Sequence, residues 1–143
     1  MVARMKAAVF VEPGRIELVD KPIPDVGPND ALVRITTTTI CGTDVHILKG
    51  EYPVAKGLTV GHEPVGVIEK LGSAVLGYQE GQRVIAGAIC PSFTAYPSQD
   101  GFPSQDGAYL IPSGRCGCHG YKATAGWRFG NLIDGTQAEY VLV

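Results

Sequence analysis

Glycine and proline punctuate this chain so often that only short regular elements fit between them. There are 19 glycines and 10 prolines among 143 residues, scattered along the whole length. Proline fixes its own φ and lacks a backbone donor, and glycine favours turns, so both interrupt helices and strands. The runs between them are β-rich. Lys6–Val11 reads as a strand, and Arg15–Val19 alternates polar and apolar residues like a half-buried one. Asp30–Thr39 is longer and dense in β-branched residues. Gly66–Leu71, Arg83–Ala86 and Ala138–Val143 complete the set. Glu12-Pro-Gly14, Val26-Gly-Pro-Asn29 and Glu80-Gly81 supply the turns. Helical signal is confined to one place, where Thr43 would cap a short helix running through Leu48. Many short strands with frequent turns predict a mainly β barrel or sandwich.

The length is that of one domain, with enough chain to bury a core. Formal charge is −2, with no block of one sign, so neither a nucleic-acid nor a membrane partner is expected. The longest apolar run is Val84–Cys90, far short of the roughly 20 residues that span a bilayer. The opening Met1–Met5 has no apolar signal stretch. These features predict a cytoplasmic protein. The cysteines are Cys41, Cys90, Cys116 and Cys118. The cytosol disfavours disulfides, so metal or thiol roles are expected for some of them. No two glycines stand two positions apart, so Gly-x-Gly-x-x-Gly is missing and no usual dinucleotide loop is present.

One stretch repeats. Pro97-Ser-Gln-Asp-Gly101 recurs as Pro103-Ser-Gln-Asp-Gly107, within a Pro-, Gly- and Ser-dense segment from Pro91 to Gly120. Two five-residue copies cannot build a repeat fold, so a protruding loop is predicted.

Two anchors carry metal chemistry. In Cys41-Gly-Thr-Asp-Val-His46 a cysteine follows a strand, and as a thiolate it is a strong zinc ligand. In Gly61-His-Glu-Pro-Val-Gly66, His62 offers an imidazole and Glu63 a carboxylate. Cysteine, histidine and a carboxylate make a catalytic zinc set that leaves one position open. Taken singly, each has a plainer reading. Cys41 suits a small buried apolar residue. Glu63 suits a group supporting the ligands, or an ion-pair partner. Adjacent His62 and Glu63 would point to opposite faces of a regular strand, so joint ligation needs a break there, which Pro64 favours.

The chain resembles the zinc-dependent medium-chain alcohol dehydrogenases. Gly61-His-Glu-Pro-Val-Gly66, followed by Gly72 and Val75, is similar to that family's zinc signature. Cys41-Gly-Thr-Asp44, Gly81-Gln-Arg-Val84 and the opening Met5-Lys-Ala-Ala-Val-Phe10 resemble further family motifs in the same order. Ala125-Gly-Trp-Arg-Phe-Gly-Asn131 resembles a segment of the bacterial secondary-alcohol branch. The resemblance implies a GroES-like, partly open β-barrel with a few short helices. It implies one catalytic zinc held by Cys41, His62 and Glu63, with Asp44 hydrogen-bonding the zinc histidine. It implies a proton relay through Thr43 and His46, and a substrate-pocket wall at Trp127. For these last residues the plainer readings are a helix cap, a first-turn carboxylate and a core aromatic.

The implied reaction is hydride transfer between secondary alcohols and ketones or aldehydes and NAD(P), as in an alcohol dehydrogenase or carbonyl reductase. Polyol or threonine dehydrogenases share these motifs, and a non-catalytic metal-binding barrel is a further alternative. The family often carries a second, structural zinc. Here Cys90, Cys116, Cys118 and His119 are poorly spaced for a tetrahedral site, so none is expected. The family continues beyond the point matching Val143 into a Rossmann domain, which binds NAD(P), and to a further zinc ligand. Residues 1–143 are thus expected to be the N-terminal zinc-binding part of a longer enzyme, inactive alone. The complete enzyme is expected to be a homo-oligomer, a dimer or tetramer.

Overall fold

A computed structural model of the chain describes residues 2–91, 96–105 and 127–143. The described strands are β1 (Arg4–Glu12), β2 (Arg15–Pro22), β3 (Ala31–Thr38), β4 (Pro64–Leu71), β5 (Arg83–Ile85) and β6 (Tyr140–Leu142). Two helices, α1 (Gly42–Leu48) and α2 (Tyr96–Gln99), and a 3-10 turn at Pro103–Gln105 accompany them. Each strand expected from the sequence is present, with ends shifted by up to three residues. No described helix is long and apolar enough to cross a membrane.

The chain divides into two compact units, Met1–Gly87 with Phe129–Val143, and Ala88–Arg128. In the first, β1 and β2 form an antiparallel pair turning at Pro13 and Gly14. The second sheet is antiparallel in the order β5-β4-β3-β6. Isolated bridges at Ala7–Ala138 and Val9–Thr59 tie β1 to neighbouring segments without continuous pairing. The sheets are not closed, which matches the expected open barrel. Alternation on β1 explains its role: Met5, Ala7 and Val9 are buried while Arg4 and Lys6 are exposed. Phe10 of β1, Leu32 and Val33 of β3, Ile68 of β4, Ile47 of α1, Val60, Phe129 and Val141 complete this core.

In the second unit both copies of the Pro-Ser-Gln-Asp-Gly repeat contribute a helical turn, α2 and the 3-10 turn, within the expected loop. Proline near the start of each turn is compatible, because its fixed φ suits a first helical turn. Gly107 and the cysteine-rich stretch through His119 lie outside the described residues. The expectation of no second zinc there lies outside them too.

A polar clasp joins distant parts of the first unit. Lys21 of β2 donates to both Asp134 oxygens at 2.6 Å, to the Thr59 hydroxyl and to the Gly57 carbonyl. Asp134 also accepts the Thr59 N–H at 2.8 Å. Burial opposes ionisation of Asp134, yet the hydrogen bonds from Lys21 and Thr59 together hold its carboxyl below the ordinary value. Asp134→Asn is expected to cost about 1 kcal/mol at neutral pH, a charge-assisted contact discounted for solvent exposure. A carboxyl depressed in the folded state stabilises above its unfolded pKa, and the benefit is lost as pH falls through the folded pKa. Thermal melts of wild type and variant should therefore differ at pH 7 and converge as pH falls below about 4. A pH-independent gap would assign the loss to neutral contacts instead.

Candidate metal centre

Two local breaks in regular structure build the centre. At the first, β3 ends at Thr38 and α1 begins at Gly42. Cys41, extended at φ −89° and ψ 161°, is the helix N-cap. The expected cap, Thr43, lies instead within the first turn. The spacing to Asp44 sets this register: its Oδ2 reaches back three residues to accept the Cys41 N–H at 2.8 Å. Asp44 is thus the first-turn carboxylate of its plainer reading, and it is 5% exposed. Its Oδ1 is buried without a hydrogen-bond partner, an acceptor to spare in the first turn after Cys41.

The second break precedes β4, which starts at Pro64, so His62 and Glu63 lie outside the strand. The alternation that would send them to opposite faces does not apply. Gly61 has φ +95°, a left-handed conformation that suits glycine, and it turns the chain just ahead of the histidine. The flanking backbone is held firmly: Val60 N donates to Ala8 O at 3.0 Å, and Thr136 N to Gly61 O at 3.0 Å.

These breaks bring one ligand atom each from Cys41, His62 and Glu63 within 4.8 Å of one another. His62 Nε2 and a Glu63 oxygen are 3.9 Å apart. Ligands around a tetrahedral zinc at 2.0–2.3 Å stand about 3.5 Å apart, so rotations of side chains suffice to close on one ion. Burial is graded: His62 is buried, Cys41 half-buried and Glu63 exposed. A soft sulfur, an imidazole and a carboxylate form a donor set that fits zinc.

The Thr39 hydroxyl donates to Glu63 Oε2. That bond is the main reason the Glu63 carboxyl is held below its ordinary value, against desolvation, which opposes it, and with lesser help from Cys41 and His62. The Thr43 hydroxyl lies 3.7 Å from the Cys41 thiol. His46, one turn further along α1, is exposed, and its Nδ1 pairs with Glu51 Oε2. The hydrogen bond to His46 is the largest influence lowering the Glu51 carboxyl. Glu51 N–H donates to the His46 carbonyl at 2.9 Å, and Tyr52 meets the imidazole edge-on at 5.6 Å. A carboxylate at Nδ1 favours the Nδ1–H tautomer and leaves Nε2 as the proton acceptor.

Trp127 lies in the second unit, half-buried and bridged to Ile89. Cys90 is half-buried in the same unit. Sequence reasoning overlooked Thr39 and Glu51. Thr39 stood in the Thr36–Thr39 run, which registered only as strand propensity. Glu51 follows His46 by five residues across a helix end, a spacing that no helix or strand period singles out.

The chain belongs to the alcohol dehydrogenase GroES-like domain family, whose model matches residues 27–143. It is 87% identical over its full length to an alcohol dehydrogenase of Cupriavidus necator, of which it covers 39%. It is 34% identical over 137 residues to a Mycoplasma pneumoniae protein named "Probable NADP-dependent isopropanol dehydrogenase", covering 95% of this chain and 35% of that one. Among solved structures it is similar to zinc dependent alcohol dehydrogenase 2 from Streptococcus pneumonia, in its apo form. The TM-score there is 0.73 at 37% identity, over 96% of this chain and 35% of that one. The chain thus spans less than half the length of these relatives.

Proposed function

We propose that this chain is the zinc-holding part of an NAD(P)-linked alcohol dehydrogenase that interconverts secondary alcohols and ketones. The observation that carries this reading is the convergence of Cys41, His62 and Glu63 ligand atoms within 4.8 Å. Likeness to relatives named alcohol dehydrogenase and isopropanol dehydrogenase supports the reaction and substrate class. When bound, zinc supplies a Lewis acid for the alcohol or carbonyl oxygen, and the nicotinamide supplies the hydride acceptor.

The chain's own residues hold the metal and move the proton. Cys41 and His62 are the fixed ligands, one at a helix cap and one buried. Glu63, exposed, is the conditional ligand. The spare Oδ1 of Asp44 is the acceptor assigned to an imidazole N–H of His62, which would fix that ring's tautomer. Thr43, beside the Cys41 thiol, accepts the proton released by the substrate hydroxyl. His46, three residues along α1 and open to water, passes it on at Nε2. The nicotinamide site, a further zinc ligand and the oligomer contacts are assigned to the part of the relatives that this chain does not span. A pocket role for Trp127 rests on the sequence resemblance.

The test is substrate profiling of the full-length protein by NAD(P)H formation, with zinc content measured alongside. The expected result is a higher kcat/KM for 2-propanol or 2-butanol than for ethanol, a polyol or L-threonine, with activity removed by a chelator. Preference for L-threonine or a polyol would move the reading to those branches. Bound zinc with no turnover of any of them would favour a non-catalytic metal module. Thr43→Ala is expected to keep zinc and lower kcat by about 10²- to 10⁴-fold, the range for a lost proton-transfer group. Thr43→Ser keeps the hydroxyl and should remain close to wild type. Equal losses in the two would make Thr43 a packing residue.

A further inference from the structure

The four-threonine run Thr36–Thr39 enters sequence reasoning as strand propensity, yet three of its hydroxyls have separate partners. Thr36 donates to the Val65 carbonyl at 3.1 Å, and Thr38 pairs with Thr136 at 3.4 Å. Thr39 donates to Glu63. The register between β3 and β4 shifts between Ile35 and Thr37, so Thr36 is the extra residue of a bulge. A one-residue insertion reverses which face each following side chain takes. The bulge therefore sets the faces taken by Thr37 and Thr38, the last residues of β3, directly ahead of Thr39.

From this geometry we infer that Thr39 is a positioning residue for the metal centre, holding Glu63 by one carboxylate oxygen so that the other faces the ligand cluster. The inference rests on the zinc reading above. Glu63 needs such a restraint. It is about half exposed, and ordering a free glutamate side chain costs rotamer entropy. The Thr39 hydroxyl occupies Oε2, while Oε1 stands 3.9 Å from His62 Nε2, on the ligand side. Thr39 is two residues before Cys41, so one short connection between β3 and α1 carries both a ligand and the restraint on another. Helix α1 begins directly after it, anchored at the cap by Asp44. Glu63 is thereby made ready to join the metal as a single-oxygen ligand, with its second oxygen already satisfied.

The experiment measures zinc affinity by chelator competition, and the visible spectrum of the Co(II)-loaded form, in the full-length protein. Thr39→Val removes the hydroxyl at nearly constant shape and is expected to weaken zinc about 10-fold, as lost support for a ligand does. Thr39→Ser retains the donor and should stay within about threefold of wild type. The Co(II) spectrum of Thr39→Val should shift in the same direction as that of Glu63→Ala. Combining the two changes should add nothing to Glu63→Ala alone, because both remove one interaction. Unchanged affinity in Thr39→Val, additive losses, or no effect of Glu63→Ala would each overturn the inference. Thr39→Ala serves as a second hydroxyl-free variant should the valine protein fail to fold. Cys41→Ser is the control that separates the two readings. If it too leaves zinc binding intact, the zinc reading has failed; if it abolishes binding while Thr39→Val does nothing, only the role of Thr39 has failed.

Discussion

Cys41→Ala is expected to remove zinc and alcohol turnover together, and His62→Ala to do the same. A protein zinc site binds with about 10–16 kcal/mol shared among its ligands. Each strong ligand therefore carries roughly 3–4 kcal/mol, or about 10²- to 10³-fold in affinity. Among the described residues Cys41 is the one thiol of the donor cluster, so its loss should also weaken the thiolate charge-transfer band of a Co(II)-loaded protein. His62 is 8% exposed, and its truncation leaves a cavity as well as a missing nitrogen. A melting curve is needed to separate these two effects. Glu63→Ala should cost less than either, because Glu63 is exposed and held through a hydroxyl. Zinc content by elemental analysis and initial rates on one preparation decide the matter. Wild-type zinc and rate in Cys41→Ala would end the assignment.

The parts of this centre that could be read from sequence are those whose cause is local. Turn-forming glycines and prolines marked the strand ends, and β-rich runs between them marked the strands. Cys41 and His62 each have a plainer reading singly, and it is the resemblance of their motifs to the zinc dehydrogenase signature that singled them out. The helix at residues 42–48 was also legible, but its cap was not. Thr43 is the better capping residue by propensity. The three-residue reach of Asp44 to the Cys41 N–H wins, and it starts the helix two positions earlier than a Thr43 cap would. The neighbour geometry of His62 and Glu63 looked awkward only while both were assigned to a strand. The strand begins at Pro64.

What stayed hidden is non-local. The bulge at Thr36 depends on β3 and β4 meeting in one register, and neither strand announces it. Lys21 finds Asp134 across 113 positions of sequence. The second repeat unit becomes a 3-10 turn where composition suggested irregular loop, because proline breaks long helices but begins short ones readily. Thr39 escaped for a related reason. A hydroxyl that orients a ligand has no signature until the ligand's own position is known.

Gly61→Ala is the second large effect expected, and its cause lies in the contacts of a single methyl group. Gly61 adopts φ +95°, where an added Cβ is strained. That Cβ would stand 2.8 Å from the Gln137 backbone nitrogen and 2.6 Å from its Cγ. Gln137 cannot step aside easily, since its N–H is bonded to the Val60 carbonyl at 2.9 Å. Gly135 presses from the same side: a Cβ there would come 2.3 Å from the Gly61 carbonyl oxygen. Strain and overlap together are expected to cost about 3 kcal/mol, which is roughly 10 °C in Tm for a domain of this size. Because Gly61 precedes His62 directly, zinc affinity should fall with stability. Gly14 isolates the two contributions. It has φ +84°, but a Cβ there meets nothing within 4 Å. Gly14→Ala should therefore show the dihedral cost alone, about 1 kcal/mol, with zinc affinity unchanged. Gly135→Ala should behave like Gly61→Ala through overlap without left-handed strain. If Gly61→Ala melts no lower than Gly14→Ala, the segment before His62 yields to the extra methyl, and the close backbone approach is not what fixes the histidine.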